Sequence, residues 1–248
     1  MQALFEWILT RIADKARAAG EKLIRITDAT RDQVYFEPTS QPWVSTLEAH
    51  WQEMRTELEQ VLVSQTRIPS FQEVSREQAS ISDDDLWKTY FLQVFGTPID
   101  GNCQRCPRTA ALLARVPGLG NAVFSILLPG KRIPEHRGPY KGLLRYHLAL
   151  RVPTPPERCW IEVNGERRHW AEGASLMFDD SFPHSAVNES DGIRVVLFLD
   201  FPRPLPAPVA LINRGVIWLL GMSEFARRPI AYLNQSAVTT AARRGALD

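Results

Sequence analysis

Residues 159 to 173 read CWIEVNGERRHWAEG, and the pair Asn164-Gly165 near their centre decides the fold class. Asn-Gly between two short runs is typical of a two-residue β-hairpin, because both turn residues must take positive φ. The runs on either side, WIEV and ERRHW, therefore predict two antiparallel strands.

Similar runs continue in both directions from this hairpin. AVFSILLPG (122–130), GLLRYHLALRV (142–152), ASLMFDDSF (174–182) and GIRVVLFLDF (192–201) are short, apolar or alternating, and bounded by Gly, Pro, Asn and Asp. Such spacing predicts an all-β barrel or jelly roll. Residues 1–26 and 45–63 carry helix formers, and 83–95 read as a strand after an acidic turn. We therefore expect an α+β protein in which N-terminal helices surround a jelly-roll core.

The composition excludes several classes of protein. The 248-residue chain is 44% hydrophobic and 23% charged with a net charge of +1, which is ordinary for a globular protein and gives no basic patch for nucleic acid. Its three cysteines argue against a disulfide framework and fit a reducing compartment. Cys103 and Cys106 form a C-x-x-C without a second pair, so core or loop thiols are the alternative to a metal site there.

Two apolar stretches lie toward the ends of the chain. Residues 1–26 are amphipathic and 207–222 are apolar, but Arg11 in the first and Arg214 in the second leave neither run long enough to cross a bilayer. The N-terminal stretch either packs on the domain or lies in a membrane interface. Together they suggest a lipid-facing surface.

The strand at 142–152 separates polar from apolar residues. Strand side chains alternate, so Arg145, His147, Ala149 and Arg151 share one side and the opposite side is apolar. The polar side faces either water or a ligand cavity inside a barrel, and position alone leaves both open.

Two histidines and one arginine suggest what that cavity binds. His136 and His184 each lie in a loop before a strand, where a barrel mouth places metal ligands. Arg194 follows His184 by ten residues inside an apolar strand, where an unpaired charge costs several kcal/mol unless an anion completes it. Histidine followed at this spacing by a basic strand residue is the arrangement of iron(II) and 2-oxoglutarate oxygenases. The alternatives are exposed loop histidines and a salt bridge from Arg194 to Asp200 or Glu162.

Three segments carry a resemblance to a known family. ILLPGKRIPEHRGPYKGLLRYHLAL (126–150), CWIEVNGERRHWAEGASLMFDDSFPHSAVN (159–188) and GIRVVLFLDFPRP (192–204) resemble the aspartyl/asparaginyl β-hydroxylase family, a likeness that extends over roughly 85–205. That family includes bacterial enzymes that hydroxylate acyl chains of lipid A and of ornithine lipids. CPRTAALLARVPGL (106–119) and the apolar tail look closer to these members.

The resemblance implies a cupin-like double-stranded β-helix that uses Fe(II), 2-oxoglutarate and O2. It implies His136 and His184 as the iron ligands. The third ligand of the usual facial triad is a carboxylate, commonly in His-x-Asp, but Gly138 occupies that position here. Water or a nearby acid such as Glu135 is expected to take the vacant place.

The resemblance also implies the residues around the cosubstrate. Arg194 and Ser125 would bind the distal carboxylate of 2-oxoglutarate, and His147 would contact its metal-binding end. Arg145 would contact the substrate or that same end. Trp87 either lines the pocket or is an ordinary core aromatic.

Three functions follow as expectations. The first is hydroxylation of an acyl chain of a bacterial membrane lipid, in the cytoplasm or peripherally at the inner face of the cytoplasmic membrane. The second is β-hydroxylation of aspartyl or asparaginyl residues or of an amino acid, and the third is a non-catalytic jelly-roll binding module. The expected organisation is a helical region (1–82), the oxygenase core (83–205) and an apolar, helical tail (206–248).

Overall fold

The computed structural model describes residues 2–64 and 67–244. Its helices are α1 (Gln2–Thr27), α2 (Val44–Ala49), α3 (Trp51–Ser64), α4 (Phe71–Val74), α5 (Asp100–Arg105), α6 (Pro107–Leu113), α7 (Ala207–Met222) and α8 (Glu224–Arg244). Its strands are β1 (Tyr35–Phe36), β2 (Trp87–Val94), β3 (Thr97–Pro98), β4 (Asn121–Leu127), β5 (Arg132–His136), β6 (Leu143–Arg151), β7 (Cys159–Val163), β8 (Glu166–His169), β9 (Ser175–Phe178), β10 (His184–Asn188) and β11 (Arg194–Pro202).

The strands form two antiparallel sheets that face each other. The larger sheet has the order β1-β9-β6-β11-β4-β2-β3, and the smaller has the order β5-β10-β7-β8. Residues of both sheets, among them Ala149, Ile161 and Val196, meet in one buried cluster between the layers. This confirms the α+β fold with a jelly-roll core, in which the predicted cavity side of β6 faces the interior.

The opposite face of the larger sheet packs on helices. Tyr146 and Leu148 of β6 join a second cluster with Leu47 of α2 and with Met54 and Leu58 of α3. The alternation read from the sequence of β6 therefore separates a helix-side core from a barrel interior.

The Asn-Gly hairpin forms as predicted. Asn164 and Gly165 have φ of 50° and 82°, and β7 pairs with β8 on either side of them. The strand predicted over 83–95 is likewise present as β2.

The N-terminal region departs from the prediction in two places. The helix expected over 45–63 is broken at His50, so that α2 and α3 are separate. Two residues of this region form β1, which pairs with β9 and thereby adds to the sheet of the core.

Helices α1 and α7, which lie toward the two ends of the chain, pack on each other. A buried guanidinium, that of Arg203, forms an ion pair at the end of α1. Arg203 pairs with Asp28, just after α1, and with Asp179 at 2.7 Å, while Lys141 also reaches Asp179 at 2.7 Å. No single helix among the described residues is long and apolar enough to span a membrane. The bent pair Ala207–Met222 and Ala226–Gln235 meets that length and composition only when taken together.

Candidate active site

The two predicted metal histidines lie side by side. His136 ends β5 and His184 begins β10, and the antiparallel register makes them direct partners with ring centroids 4.1 Å apart. The Nδ1 atom of each ring lies within hydrogen-bond distance of the backbone carbonyl two residues earlier, at Pro134 (2.9 Å) and Phe182 (3.0 Å). Because a carbonyl can only accept, each Nδ1 donates, and each Nε2 keeps its lone pair.

Burial favours the neutral, ligating form of both rings. It lowers the pKa of His136, and burial together with His136 and Arg145 holds the pKa of His184 well below its usual value. The Nε2 atom of His184 is buried and has no hydrogen-bond partner. Two neutral imidazoles with free Nε2 atoms fit a divalent transition metal.

The expected third carboxylate is not where the sequence suggested. Glu135 is exposed and precedes His136 on the strand, so its side chain points away from the histidine pair. Asp180 instead fills the space beside Gly138, where a Cβ would lie 1.9 Å from its Oδ2 atom. Sequence analysis missed Asp180, although the acidic pair 179–180 just before His184 was a usable signal. Within 2–64 and 67–244, no three His, Cys, Asp or Glu side chains form a metal-binding group.

Arg145 is already neutralised by this acid and by one other. Its guanidinium lies 2.7 Å from Asp180 and 3.0 Å from Asp200, and its Cζ atom stacks 4.1 Å over the Phe198 ring. Burial nevertheless raises the pKa of Asp180 to about 7, although Arg145 opposes the rise, and the negative charges of Asp200 and Asp179 add to it. Arg145 thus lies in the site as predicted, but its guanidinium is already paired with two carboxylates and is not available to a substrate anion.

Arg194 is the buried cation that lacks an anion. It is 2% exposed, donates one hydrogen bond to the Ser125 carbonyl at 3.2 Å, and lies 4.4 Å over the Trp170 ring. Its Nε atom has no partner, and no carboxylate of the described residues forms an ion pair with it. Burial lowers its pKa to about 10.

The two salt bridges considered as alternatives for Arg194 do not form. Asp200 pairs with Arg145, and Glu162 pairs with Arg167. Neither alternative partner is paired with Arg194, and the prediction that this guanidinium binds a ligand anion stays a prediction.

Ser125, Trp87 and His147 complete this end of the interior. Ser125 lies on β4 opposite Val196 of β11, and its Oγ accepts a hydrogen bond from Trp87 Nε1 at 3.1 Å. His147 is buried with an unpartnered Nδ1, and burial together with Arg194 holds its pKa well below the usual value. The predicted residues are thus brought to one place.

A largely apolar cleft adjoins the histidine pair. His136, Ser125 and Arg145 line it together with apolar side chains from α4, β2, β4, β11 and neighbouring segments, namely Phe71, Ile81, Trp87, Phe91, Val94, Phe95, Val123, Leu143 and Phe198. Pro229 of α8 also lines it, and Trp87 stacks on Phe71 with centroids 3.9 Å apart. Trp87 is therefore a pocket residue.

The C-x-x-C motif lies away from the cleft, at the junction of α5 and α6. Cys103 is half-buried with its thiol 3.2 Å from the Leu92 carbonyl, and burial raises the pKa of Cys106 to about 12. Protonated thiols in a core are poor ligands, so the alternative of core thiols is the one that the structure favours.

Comparisons with known proteins agree with the family resemblance. The sequence profile described as aspartyl/asparaginyl β-hydroxylase matches residues 48–204. An ornithine lipid ester-linked acyl 2-hydroxylase of Rhizobium tropici is 44% identical over 184 residues, which are 74% of this chain and 66% of that protein. The human aspartate β-hydroxylase domain-containing protein 2 is 42% identical over 127 residues, 48% of this chain and 34% of that protein. The chain thus spans less than two thirds of these relatives.

Solved structures with similar backbones are remote. The KdgF protein of a Halomonas species is 14% identical, with a TM-score of 0.32 over 50% of this chain and 84% of that one. A cupin 2 conserved barrel domain protein of Salinispora arenicola is also 14% identical, with a TM-score of 0.33 over 56% of this chain and 92% of that one. Likeness at these scores says nothing about activity.

Proposed function

Since the chain belongs to the aspartyl/asparaginyl β-hydroxylase family, we propose that it is an Fe(II)- and 2-oxoglutarate-dependent hydroxylase of an acyl chain in a bacterial membrane lipid. The observation that carries the choice of substrate is the apolar cleft beside His136. When bound, Fe(II), 2-oxoglutarate and O2 supply the oxidising power that places one oxygen atom on an unactivated C–H bond, with succinate and CO2 as the other products.

The metal would be held by His136 and His184. The hydrogen bonds from each Nδ1 to a backbone carbonyl fix the orientation of both rings in the metal-free protein. In this orientation each Nε2 can act as a ligand. Asp180 is the acid that occupies the space beside Gly138. Its contact with Arg145 keeps the carboxylate in place.

The cosubstrate would be anchored by Arg194. A small dicarboxylate reaching from the histidine pair into the barrel would give this cation the anion that it lacks among the described residues. The Ser125 hydroxyl, which lies on the neighbouring strand, would donate a second hydrogen bond to the same carboxylate. His147, neutral because it is buried, would contact the cosubstrate without adding charge.

The cleft would hold the acyl chain. A hydrocarbon tail is stabilised by burial against apolar walls at about 0.8 kcal/mol per CH2 group, and Phe91, Val123 and Phe198 supply such walls. The bacterial relative is named for hydroxylation at carbon 2 of an ester-linked acyl chain. An acyl chain lying in this cleft with its carbonyl end near His136 would present that carbon to the metal.

Hydroxylation of an aspartyl side chain is the second candidate. Several relatives are named for it, and the sequence His136-Arg137-Gly138, which lacks the acid of the usual triad, resembles those members. An aspartyl substrate needs a cation for its carboxylate. Arg145 is the cation among the residues that line the cleft, and it is already paired with Asp180 and Asp200. The charges in the cleft therefore favour the acyl chain.

The test is direct assay of the purified protein. Fe(II), 2-oxoglutarate and an ornithine lipid extract should yield succinate and a lipid heavier by one oxygen atom in mass spectrometry, and an aspartyl peptide should yield neither. Hydroxylation of the peptide alone would show that the substrate is aspartyl and not an acyl chain. If no substrate yields succinate, the hydroxylase proposal is rejected and the remaining hypothesis is a non-catalytic binding module.

A cleft variant sharpens this test. Val123→Phe should fill part of the cleft and reduce lipid hydroxylation, while slow turnover of 2-oxoglutarate without substrate is kept. Val61→Phe overpacks the helix-side core of the same protein and is the matched control. Equal losses in both variants would show that the cleft does not hold the substrate.

A further inference from the structure

Helices α1 and α7 pack side by side, and each buries one face. Ala13 and Ile24 of α1 share a cluster with Val216 and Leu220 of α7. Gly20 marks the closest approach, since a Cβ there would lie 3.4 Å from Val216 Cγ2. Both helices also lie over residues 140–143, since a Cβ at Gly20 would meet the Tyr140 side chain and Asn213 of α7 donates a hydrogen bond to the Gly142 carbonyl at 2.8 Å. The faces of both helices that are turned away from this segment point to solvent.

The outer face of α7 is apolar except for the exposed Arg214. Leu211 is 71% exposed and Trp218 is 64% exposed, and their spacing of seven residues places them in one line along the helix. Ile212 is 51% exposed beside them, and Ile12 and Ile26 of α1 are 49% and 67% exposed. Large apolar residues collected on one surface indicate an interaction site.

The outer face of α1 is basic. Arg11, Lys15, Lys22 and Arg25 are exposed and follow one another at intervals that keep them on one side of the helix. Asp14 is exposed on the flank of this line. A basic line beside exposed apolar residues is complementary to anionic lipid headgroups above acyl chains.

This surface adjoins the cleft. Arg17 of α1 donates a hydrogen bond to the Pro139 carbonyl at 3.3 Å, and Pro139 lines the cleft. Phe95 also lines the cleft and packs against Gly221 of α7, where a Cβ would lie 3.5 Å from Phe95 Cβ. Both helices therefore border the cleft.

We propose that the outer faces of α1 and α7, here called the α1–α7 surface, dock the protein on an anionic phospholipid bilayer. The basic residues of α1 contact the headgroups, and Leu211 and Trp218 enter the interface. Docking in this orientation brings the cleft to the membrane from which an acyl chain would enter. The link to an acyl substrate rests on the proposed function, but membrane binding itself does not.

Vesicle co-sedimentation of the full chain tests the docking. The protein should bind vesicles of phosphatidylcholine with phosphatidylglycerol and bind pure phosphatidylcholine vesicles far more weakly, and added salt should weaken the binding. Each basic side chain near an anionic surface strengthens partitioning about fivefold. Lys15→Glu with Lys22→Glu should therefore lower the partition coefficient by about twentyfold or more. Leu211→Ser with Trp218→Ser should also lower it.

Matched variants on other surfaces are the controls. Arg115→Glu with Arg158→Glu reverses two exposed charges elsewhere, and Val63→Ser removes an apolar side chain that is 87% exposed on α3. Both should bind as the parent protein does. No binding to phosphatidylglycerol vesicles, or equal losses in controls and surface variants, would overturn the proposal, and a protein partner would then be the occupant to seek.

The outcomes separate this proposal from the proposed function. Vesicle binding without succinate formation would support the docking surface and reject the hydroxylase. Hydroxylation of detergent-dispersed lipid without vesicle binding would support the hydroxylase and reject the docking surface.

Discussion

Replacing Arg194 by Met should strongly weaken binding of 2-oxoglutarate while it leaves the fold intact. The side chain donates a hydrogen bond to the Ser125 carbonyl, lies beside the Cys159 thiol, and has no carboxylate partner among the described residues. Breaking a buried charge pair by removing one partner costs about 3–5 kcal/mol. The dissociation constant for 2-oxoglutarate should therefore rise by about 150- to 5,000-fold.

The stability of the ligand-free protein should respond differently. Arg194→Met removes one hydrogen bond and one stacking contact, but it also removes an unpaired buried charge. We expect the free energy of unfolding to change by no more than about 1 kcal/mol. Arg203 is the control, because it is equally buried but paired with Asp28 and Asp179. Arg203→Met leaves buried Asp28 without a cation and Asp179 with Lys141 alone, and it should cost about 3–5 kcal/mol.

Denaturant unfolding with and without ligand measures both effects. With Mn(II) in place of Fe(II) and 2-oxoglutarate at about 100 times its dissociation constant, the parent protein should gain about 2.7 kcal/mol, and Arg194→Met should gain almost none from the acid. If Arg194→Met destabilises the ligand-free protein as much as Arg203→Met does, the guanidinium has an internal partner. If 2-oxoglutarate still stabilises Arg194→Met fully, the anchor lies elsewhere.

Three further outcomes are expected. Gly138→Ala should destabilise the protein by about 1–3 kcal/mol, because the new Cβ meets Asp180 Oδ2, and the cost should shrink in an Asp180→Ala background. His184→Ala should lose Mn(II) binding in calorimetry while the fold persists. His147 stays neutral in the folded protein because burial lowers its pKa, whereas in the unfolded chain it is protonated below about pH 6.5. As the pH falls below this value, the free energy of unfolding of the chelator-treated protein should therefore decrease by up to about 1.4 kcal/mol per pH unit from this group.

Each of these outcomes has a control. Gly215→Ala, where no atom lies within 4 Å of the added Cβ, should be neutral or stabilising, and an equal loss there would remove the steric argument. His50→Ala should keep Mn(II) binding, and a loss there would mean that the ion binds elsewhere. His147→Phe should give a shallower pH dependence of stability, and an unchanged slope would show that this ring does not stay neutral in the fold.

Local chemistry made much of the core predictable. Asn164 and Gly165 predicted a hairpin because few other residue pairs adopt positive φ at both positions. The apolar surroundings of Arg194 in the sequence were enough to predict a buried cation, because flanking strand residues share its burial. These features depend on residues that are adjacent in the chain, so the sequence alone is enough to predict them.

What was missed depends on contacts across the fold. Gly138 looked like a lost ligand, but Asp180, more than 40 positions away, fills that space from a different loop. The engagement of Arg145 with Asp180 and Asp200 depends in the same way on two other segments. The break at His50, where φ is −113° and ψ is 15°, divides the predicted helix into α2 and α3, and helix propensity does not encode it.

The pairing of Arg203 with Asp28 has a practical consequence for anyone who trims the protein to obtain crystals. A form that starts after α1 and the turn at its end would lose Asp28 and leave Arg203 in the interior with Asp179 alone. Asp179 lies in the loop that leads to His184, so a cut far away along the chain would loosen the end of the barrel that carries His136 and His184. The first helix therefore belongs to the same folded unit as the barrel, and solubility is better sought by changing Leu211 or Trp218 on the outside of α7.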